Sequence, residues 1–139
     1  MTVMTKPLSG PHIWPIRVYF EDTDAGQIVY YANYLRFTER ARTEMLRAMG
    51  ADHNAMIKDD GLMFVVKSVA IEYHQSAKLD DALEVHTRIT KIGNASLILQ
   101  QNVLKDGCEL ATSEVVLVAV NGNGQPCRIP ASIRSKIEA

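Results

Sequence analysis

The apolar positions of this 139-residue chain change period twice along its length. From Ile13 to Phe20, β-branched and aromatic residues predict a first strand, with Pro15 pointing to an edge position or a late start. From about Ala32 to Met49 the spacing becomes helical. Tyr34, Phe37, Ala41, Met45 and Ala48 recur at intervals of three, four, four and three and so share one face. Arg36, Arg40, Thr43, Glu44 and Arg47 fall opposite, with Arg40–Glu44 and Glu44–Arg47 at pairing spacing. Gly50 supplies a stop. A second short helix is predicted from Asp52, as N-cap, to Asp60, ending at Gly61.

Beyond Gly61 the pattern is that of strands. Leu62 to His74 predicts a long one, and Gln75 to Asp81 a polar connection. Between Leu83 and Ile92, Leu83, Val85, Thr87 and Ile89 alternate with Glu84, His86, Arg88 and Thr90. Gly93-Asn94 turns the chain into Ala95 to Lys105. Asp106-Gly107 is a type I′ hairpin signal leading into Glu109 to Asn121. Pro130 to Ala139 predicts a short terminal helix or tail. Strand, loop, long helix, then about four strands in antiparallel succession define an α+β class, with the sheet packed around the helix. One domain is expected over 13–139, after a disordered lead-in over 1–12.

Composition narrows the function classes. An apolar fraction of 47% with 22% charge belongs to a globular chain, and a net charge of −1 argues against a nucleic-acid-binding face. Cys108 and Cys127 show neither Cys-x-x-Cys spacing nor a framework, as expected of reduced thiols. Met1 to His12 lacks the apolar core of a signal peptide, and the longest apolar run, Val115 to Val120, is too short to span a bilayer. A cytoplasmic protein without membrane insertion is expected. His12, His53, His74 and His86 share no ligand spacing, so no metal is expected. His12 falls in the lead-in, and His74 and His86 read as surface residues.

The segment Glu21-Asp22-Thr23-Asp24-Ala25-Gly26, between the first strand and the long helix, concentrates the unusual chemistry. An Asp-x-Asp phosphotransferase would need a parallel sheet and further acidic ligands, which the strand order does not provide. A calcium loop starting at Asp22 would place Gly26 at position five and Asn33 at position twelve, where a bidentate Glu is required. A third arrangement sets a carboxylate beside the unpaired amides of Val29 to Ala32, at the positive end of the helix dipole. Such amides can hold a developing oxyanion while the carboxylate attacks or activates water. The residues alone also allow a plain acidic cap on the loop and helix.

The run from Glu21 to Tyr34, Glu-Asp-Thr-Asp-Ala-Gly-Gln-Ile-Val-Tyr-Tyr-Ala-Asn-Tyr, is continued by Phe37-Thr38-Glu39-Arg40-Ala41-Arg42-Thr43-Glu44. It resembles the 4-hydroxybenzoyl-CoA thioesterase family, and within it the YbgC-type acyl-CoA thioesterases associated with the Tol–Pal cell-envelope system. Ala77-Lys78-Leu79-Asp80-Asp81 and Gly93-Asn94-Ala95-Ser96 extend the likeness over roughly 18–130. The resemblance implies a hotdog fold, homodimers assembling to homotetramers, active sites at subunit interfaces, and no cofactor. It assigns catalysis to Asp24, not Asp22, and oxyanion binding to the Tyr31 amide. The substrate would be a short-chain or aromatic acyl-CoA, with acyl carrier protein as a further partner. Asp24 would form a mixed anhydride or act as general base on water.

Two positions depart from the pattern. Tyr31 stands where many YbgC-type members carry His, which removes acid–base help from that side chain. Gln27 stands where Gly is common. Substrate-binding candidates are Gly26 in the motif, Tyr30, Asn33 and Met63 for the acyl pocket, and Arg88, Lys91 and Lys105 for the CoA phosphates. Tyr34 belongs first to the core stripe. Two rivals on the same fold are a non-catalytic acyl-CoA or acyl-carrier-protein binding module and a dehydratase, which would want a catalytic His that the motif lacks.

Overall fold

The computed structural model describes residues 10–138. Its elements run β1 (His12–Arg17), α1 (Asn33–Ala48), α2 (His53–Ala55), β2 (Leu62–Tyr73), β3 (Ala82–Ile92), β4 (Ser96–Lys105), β5 (Cys108–Asn121) and α3 (Ala131–Glu138). The expected lead-in over 1–9 lies outside the described residues. His12 is not part of a lead-in: it opens β1, half-buried, with Nδ1 buried and unpartnered among the described residues.

β1 ends three residues earlier than the apolar pattern suggests, because Phe20–Asp22 closes into a 3₁₀ turn. Pro15 sits in an edge strand, since among the described residues β1 pairs with β3 alone. The strands do not form the simple succession expected. The sheet order is β1-β3-β4-β5-β2, all antiparallel, so β2 lies at the far edge against β5. The chain between β2 and β3 therefore crosses the end of the sheet. It finds backbone partners in the acidic loop, where Val29 N–H donates to Ala77 C=O at 2.9 Å. Sequence periodicity reports strands but not who pairs with whom.

α1 packs on one face of this sheet, against β1, β3 and β4, the hotdog arrangement. Tyr34, Phe37, Ala41 and Met45 are buried as the stripe predicts, whereas Ala48 is exposed and Leu46 is buried in the last turn instead. Glu44 pairs with Arg47 at 3.3 Å, and among the described residues no ion pair forms to Arg40. Asp52 has the extended backbone of an N-cap without a side-chain cap bond. After α2 the chain widens into a π turn, Met56–Asp60, stopped by Gly61 at φ +66°. Asp106 and Gly107, at φ +51° and +79°, form the predicted I′ turn.

The core divides into two apolar clusters, one around Met45, Leu97, Leu99 and Leu117, the other around Phe37, Val85, Val103 and Ala111. Between them runs a polar seam. Thr87, Gln101 and Ser113 are cross-strand neighbours on the inner face of β3, β4 and β5, and all are buried. Gln101 donates to Thr87 Oγ1 and to the Thr38 carbonyl of α1, both at 2.9 Å, and Ser113 donates to the Gln101 carbonyl at 2.8 Å. Buried amides need such partners, and here they tie the helix to one height on the sheet.

Candidate active site

The acidic segment folds as a tight hairpin. Asp24 N–H donates to Ile28 C=O at 3.0 Å, Gln27 N–H to Asp24 C=O at 2.9 Å, and Thr23 bridges Val29. A four-residue turn of this kind hands the chain to a left-handed residue, and Gln27 occupies that place at φ +66°. Glycine takes such a φ without strain, which gives the Gln27 departure a physical meaning.

The two aspartates separate cleanly. Asp22 is 4% exposed, and both its carboxylate oxygens are engaged: Oδ2 accepts Tyr19 N–H at 2.8 Å and Oδ1 accepts Asn33 Nδ2 at 2.9 Å. Its carbonyl also accepts Tyr30 N–H at 2.9 Å. Asp22 thus ties the loop to the first residue of α1. Asp24 is exposed; Oδ1 accepts Gly26 N–H at 2.8 Å, and Oδ2 has no partner among the described residues. A Cβ at position 26 would stand 3.2 Å from Asp24 Oδ1, so the glycine leaves room for the carboxylate as well as donating to it.

The amide donors also sort themselves. Those of Val29 and Tyr30 are not free, contrary to the sequence reading; the hairpin and the crossing segment claim them. Those of Tyr31 and Ala32, just before α1, donate to no group among the described residues. A cleft of about 300 Å³ opens here, bounded by Asp24, Ile28, Tyr31 and Tyr34 on one side and by residues 73–76 on the other. Tyr34, Tyr31 and Tyr73 meet edge-on, with ring centroids 5.4 and 6.1 Å apart across Tyr73, and Tyr30 leans on Tyr31 at 5.0 Å. Burial pushes the Tyr34 phenol above its usual range, against the hydrogen bond it accepts from Ala77 N–H at 3.1 Å.

The remaining candidates disperse. Gly26 adjoins Asp24, and Tyr30 stacks beside the cleft, but the Asn33 amide is spent on Asp22. Met63 lies ten residues before Tyr73 on β2, roughly 33 Å along the strand. Through Ala111 and Val103, Tyr73 stands level with Val85. Lys91 is then roughly 20 Å further along β3, and Arg88 points from the outer face. Lys105 stays near the cleft's end of the sheet, but its ammonium is held by Asp81 at 3.0 Å. Within one chain, Met63, Arg88 and Lys91 are not brought to Asp24. Tyr73, His74, Gln75 and Ser76 were missed: the β2–β5 pairing and the Val29–Ala77 backbone bond carry them to the loop.

Comparison with known proteins identifies the family. Residues 18–137 match the model of the thioesterase-like superfamily. The acyl-CoA thioesterase YbgC of Haemophilus influenzae is 39% identical over 88% of this chain and 90% of its own. The acyl-CoA thioester hydrolase YbgC of Escherichia coli O6:H1 is 43% identical over 86% and 90%. A probable thioesterase from Bartonella henselae has a structure superposing with a TM-score of 0.84 at 35% identity, covering 86% of this chain and 99% of its own. Among the described residues no helix is long and apolar enough to cross a membrane. With the motif, the fold and these likenesses in agreement, the chain belongs to the YbgC-type acyl-CoA thioesterases of the thioesterase-like superfamily.

Proposed function

We propose that Asp24 is the catalytic carboxylate, and that the Tyr31 amide holds the thioester oxygen of a short-chain or aromatic acyl-CoA. The observation that carries this is the pairing of one unengaged carboxylate oxygen with unengaged amides around a single cleft. As the carbonyl becomes tetrahedral, its oxygen gains charge that a preorganised N–H stabilises. In one route Asp24 attacks the carbonyl carbon, the thiolate of CoA leaves, and water cleaves the acyl–aspartyl anhydride. In the other Asp24 takes a proton from water as the water attacks. A cleft of about 300 Å³ is at the small end of ligand pockets, and its tyrosine walls suit a compact or flat acyl group.

A homodimer completes this reading. β2 is a twelve-residue edge strand with Val65, Val66 and Val69 exposed, a surface that soluble chains cover. A second copy along that edge would bring its own Arg88 or Lys91 toward the CoA phosphates; two dimers would make the tetramer. The YbgC likeness extends the proposal to a cytoplasmic role beside the Tol–Pal system, with acyl carrier protein as a second acyl donor.

The test is thiol release across acyl-CoAs of graded length and aromatic ones, with wild type and Asp24→Asn. Wild-type turnover lost in the mutant supports the assignment; full mutant activity overturns it, and a wild type inert on every substrate leaves a binding module. A single turnover in H₂¹⁸O separates the routes, since only the anhydride route can place label in Asp24.

A further inference from the structure

Tyr73 ends β2 with its hydroxyl 3.0 Å from the Tyr31 carbonyl, to which it donates. Among the described residues that carbonyl has one other donor, Tyr34 N–H, at a long 3.4 Å. The Tyr31 carbonyl shares its peptide unit with the Ala32 N–H, and the Tyr31 N–H lies one bond beyond the same Cα. Both N–H groups are free of partners among the described residues. The carbonyl side of this turn is therefore pinned by a side chain from the far edge of the sheet, while the amide side is left open.

We propose that Tyr73 is a positioning residue for thioester hydrolysis, its hydroxyl fixing the turn at Tyr31 so that the amides face the substrate carbonyl. The proposal rests on the reading that these amides bind the oxyanion. Two physical effects operate together. A second anchor on the carbonyl restricts rotation of the peptide on either side of residue 31, and preorganised donors need no reorientation as charge develops. Accepting a hydrogen bond also polarises the peptide, which strengthens the Ala32 N–H as a donor. Burial, then the neighbouring Tyr31 and Tyr34, hold the Tyr73 phenol above its usual range, so it keeps its proton at neutral pH. The anchor is easily separated from packing, because Tyr73→Phe keeps the ring contacts to Tyr31 and Tyr34 and deletes only the hydroxyl.

The experiment compares wild type, Tyr73→Phe, Tyr73→Leu and Asp24→Asn on the best acyl-CoA, reading kcat and KM separately. In parallel the Tyr31 carbonyl ¹³C shift and Tyr31 and Ala32 amide exchange are followed in labelled protein. Tyr73→Phe is expected to lower kcat about tenfold, the loss of roughly one net hydrogen bond in the transition state. Its KM should stay within about twofold, its Tyr31 carbonyl shift should move and its amide exchange should accelerate. Tyr73→Leu should in addition raise KM. If Tyr73→Phe keeps the wild-type kcat while Asp24→Asn is inactive, the positioning role is overturned and Tyr73 only packs. A rise in KM alone would overturn it equally. If Asp24→Asn is fully active, the underlying reading of the cleft fails and takes the proposal with it.

Discussion

Replacing Asp22 by Asn should separate the two aspartates by stability rather than by activity. The Asp22 carboxylate is 4% exposed and accepts from two donors, Tyr19 N–H and Asn33 Nδ2. An asparagine has the same shape, but one of its terminal atoms is an NH₂, so the Asn33 amide must turn over to accept from it, and both bonds lose a charged acceptor. A hydrogen bond to a charged group contributes about 1.5–3 kcal/mol and one between neutral groups about 0.5–1.5 kcal/mol. With two bonds weakened we expect a loss of about 2–3 kcal/mol, a large share of the roughly 5–15 kcal/mol of a typical domain. Asp24→Asn keeps an oxygen for Gly26 N–H at an exposed site and should change stability by no more than about 0.5 kcal/mol. The assay is urea unfolding followed by far-UV circular dichroism and by the fluorescence of Trp14, the single tryptophan. An unchanged midpoint in Asp22→Asn would refute the reasoning, and so would equal losses in the two mutants.

Gly26→Ala should lower kcat with little effect on the urea midpoint, because the new Cβ would press on Asp24 Oδ1 from 3.2 Å; wild-type kcat would show that the carboxylate yields freely. Gln27→Gly removes a side chain from a left-handed backbone position and should raise stability by about 1 kcal/mol, read as a higher midpoint. Asp81 is held below the usual carboxylate range: its burial raises it, but the Lys78 N–H and Lys105 outweigh that. A depressed folded value means a stabilising contribution present above the unfolded value of 3.8 and lost as pH falls through the lower folded value, so wild type and Asp81→Asn should differ at pH 7 and approach each other as the pH is taken below 3.8 in urea melts. Gln101→Met strands Thr87 Oγ1 and removes the donor to Thr38 C=O, and should cost about 2–3 kcal/mol; a loss under 0.5 kcal/mol would mean that the seam relaxes around water.

The helix and the later strands were legible because each carries a period: the α1 stripe and the β3 alternation are local patterns set by which side meets the core. Sheet order was not, because pairing β2 with β5 depends on a connection whose partners lie in the distant acidic loop. The same non-locality hid Tyr73. Nothing around it in sequence distinguishes it from other strand aromatics, yet the pairing sets its hydroxyl on Tyr31. The first amide assignment failed for a related reason: the dipole argument treats a helix start as free, whereas Val29 and Tyr30 are consumed by the hairpin and the crossing segment. The choice of Asp24 over Asp22 rested on resemblance, and burial now supplies a physical basis for separating them, since one carboxylate is saturated and the other is not.

The contacts that hold α1 are polar at each height where an apolar contact would permit sliding. Dispersion and apolar burial are non-directional, so a helix resting on Phe37, Ala41 and Met45 alone could shift along the sheet at little cost. The Asp22–Asn33 bond fixes the first residue of the helix, the Tyr73 hydroxyl fixes the turn before it, and Gln101 fixes Thr38. Thr38 lies five residues, about 7.5 Å, further along the axis. Three directional bonds at three heights leave little room for rotation or translation. The end of the helix that is pinned twice is the end where Asp24 and the free amides meet. A shift of about 1 Å there would matter for a carbonyl oxygen that must be met at hydrogen-bonding distance. A polar residue as buried as Gln101 therefore belongs to the same geometric requirement as the exposed carboxylate, although it never approaches the cleft.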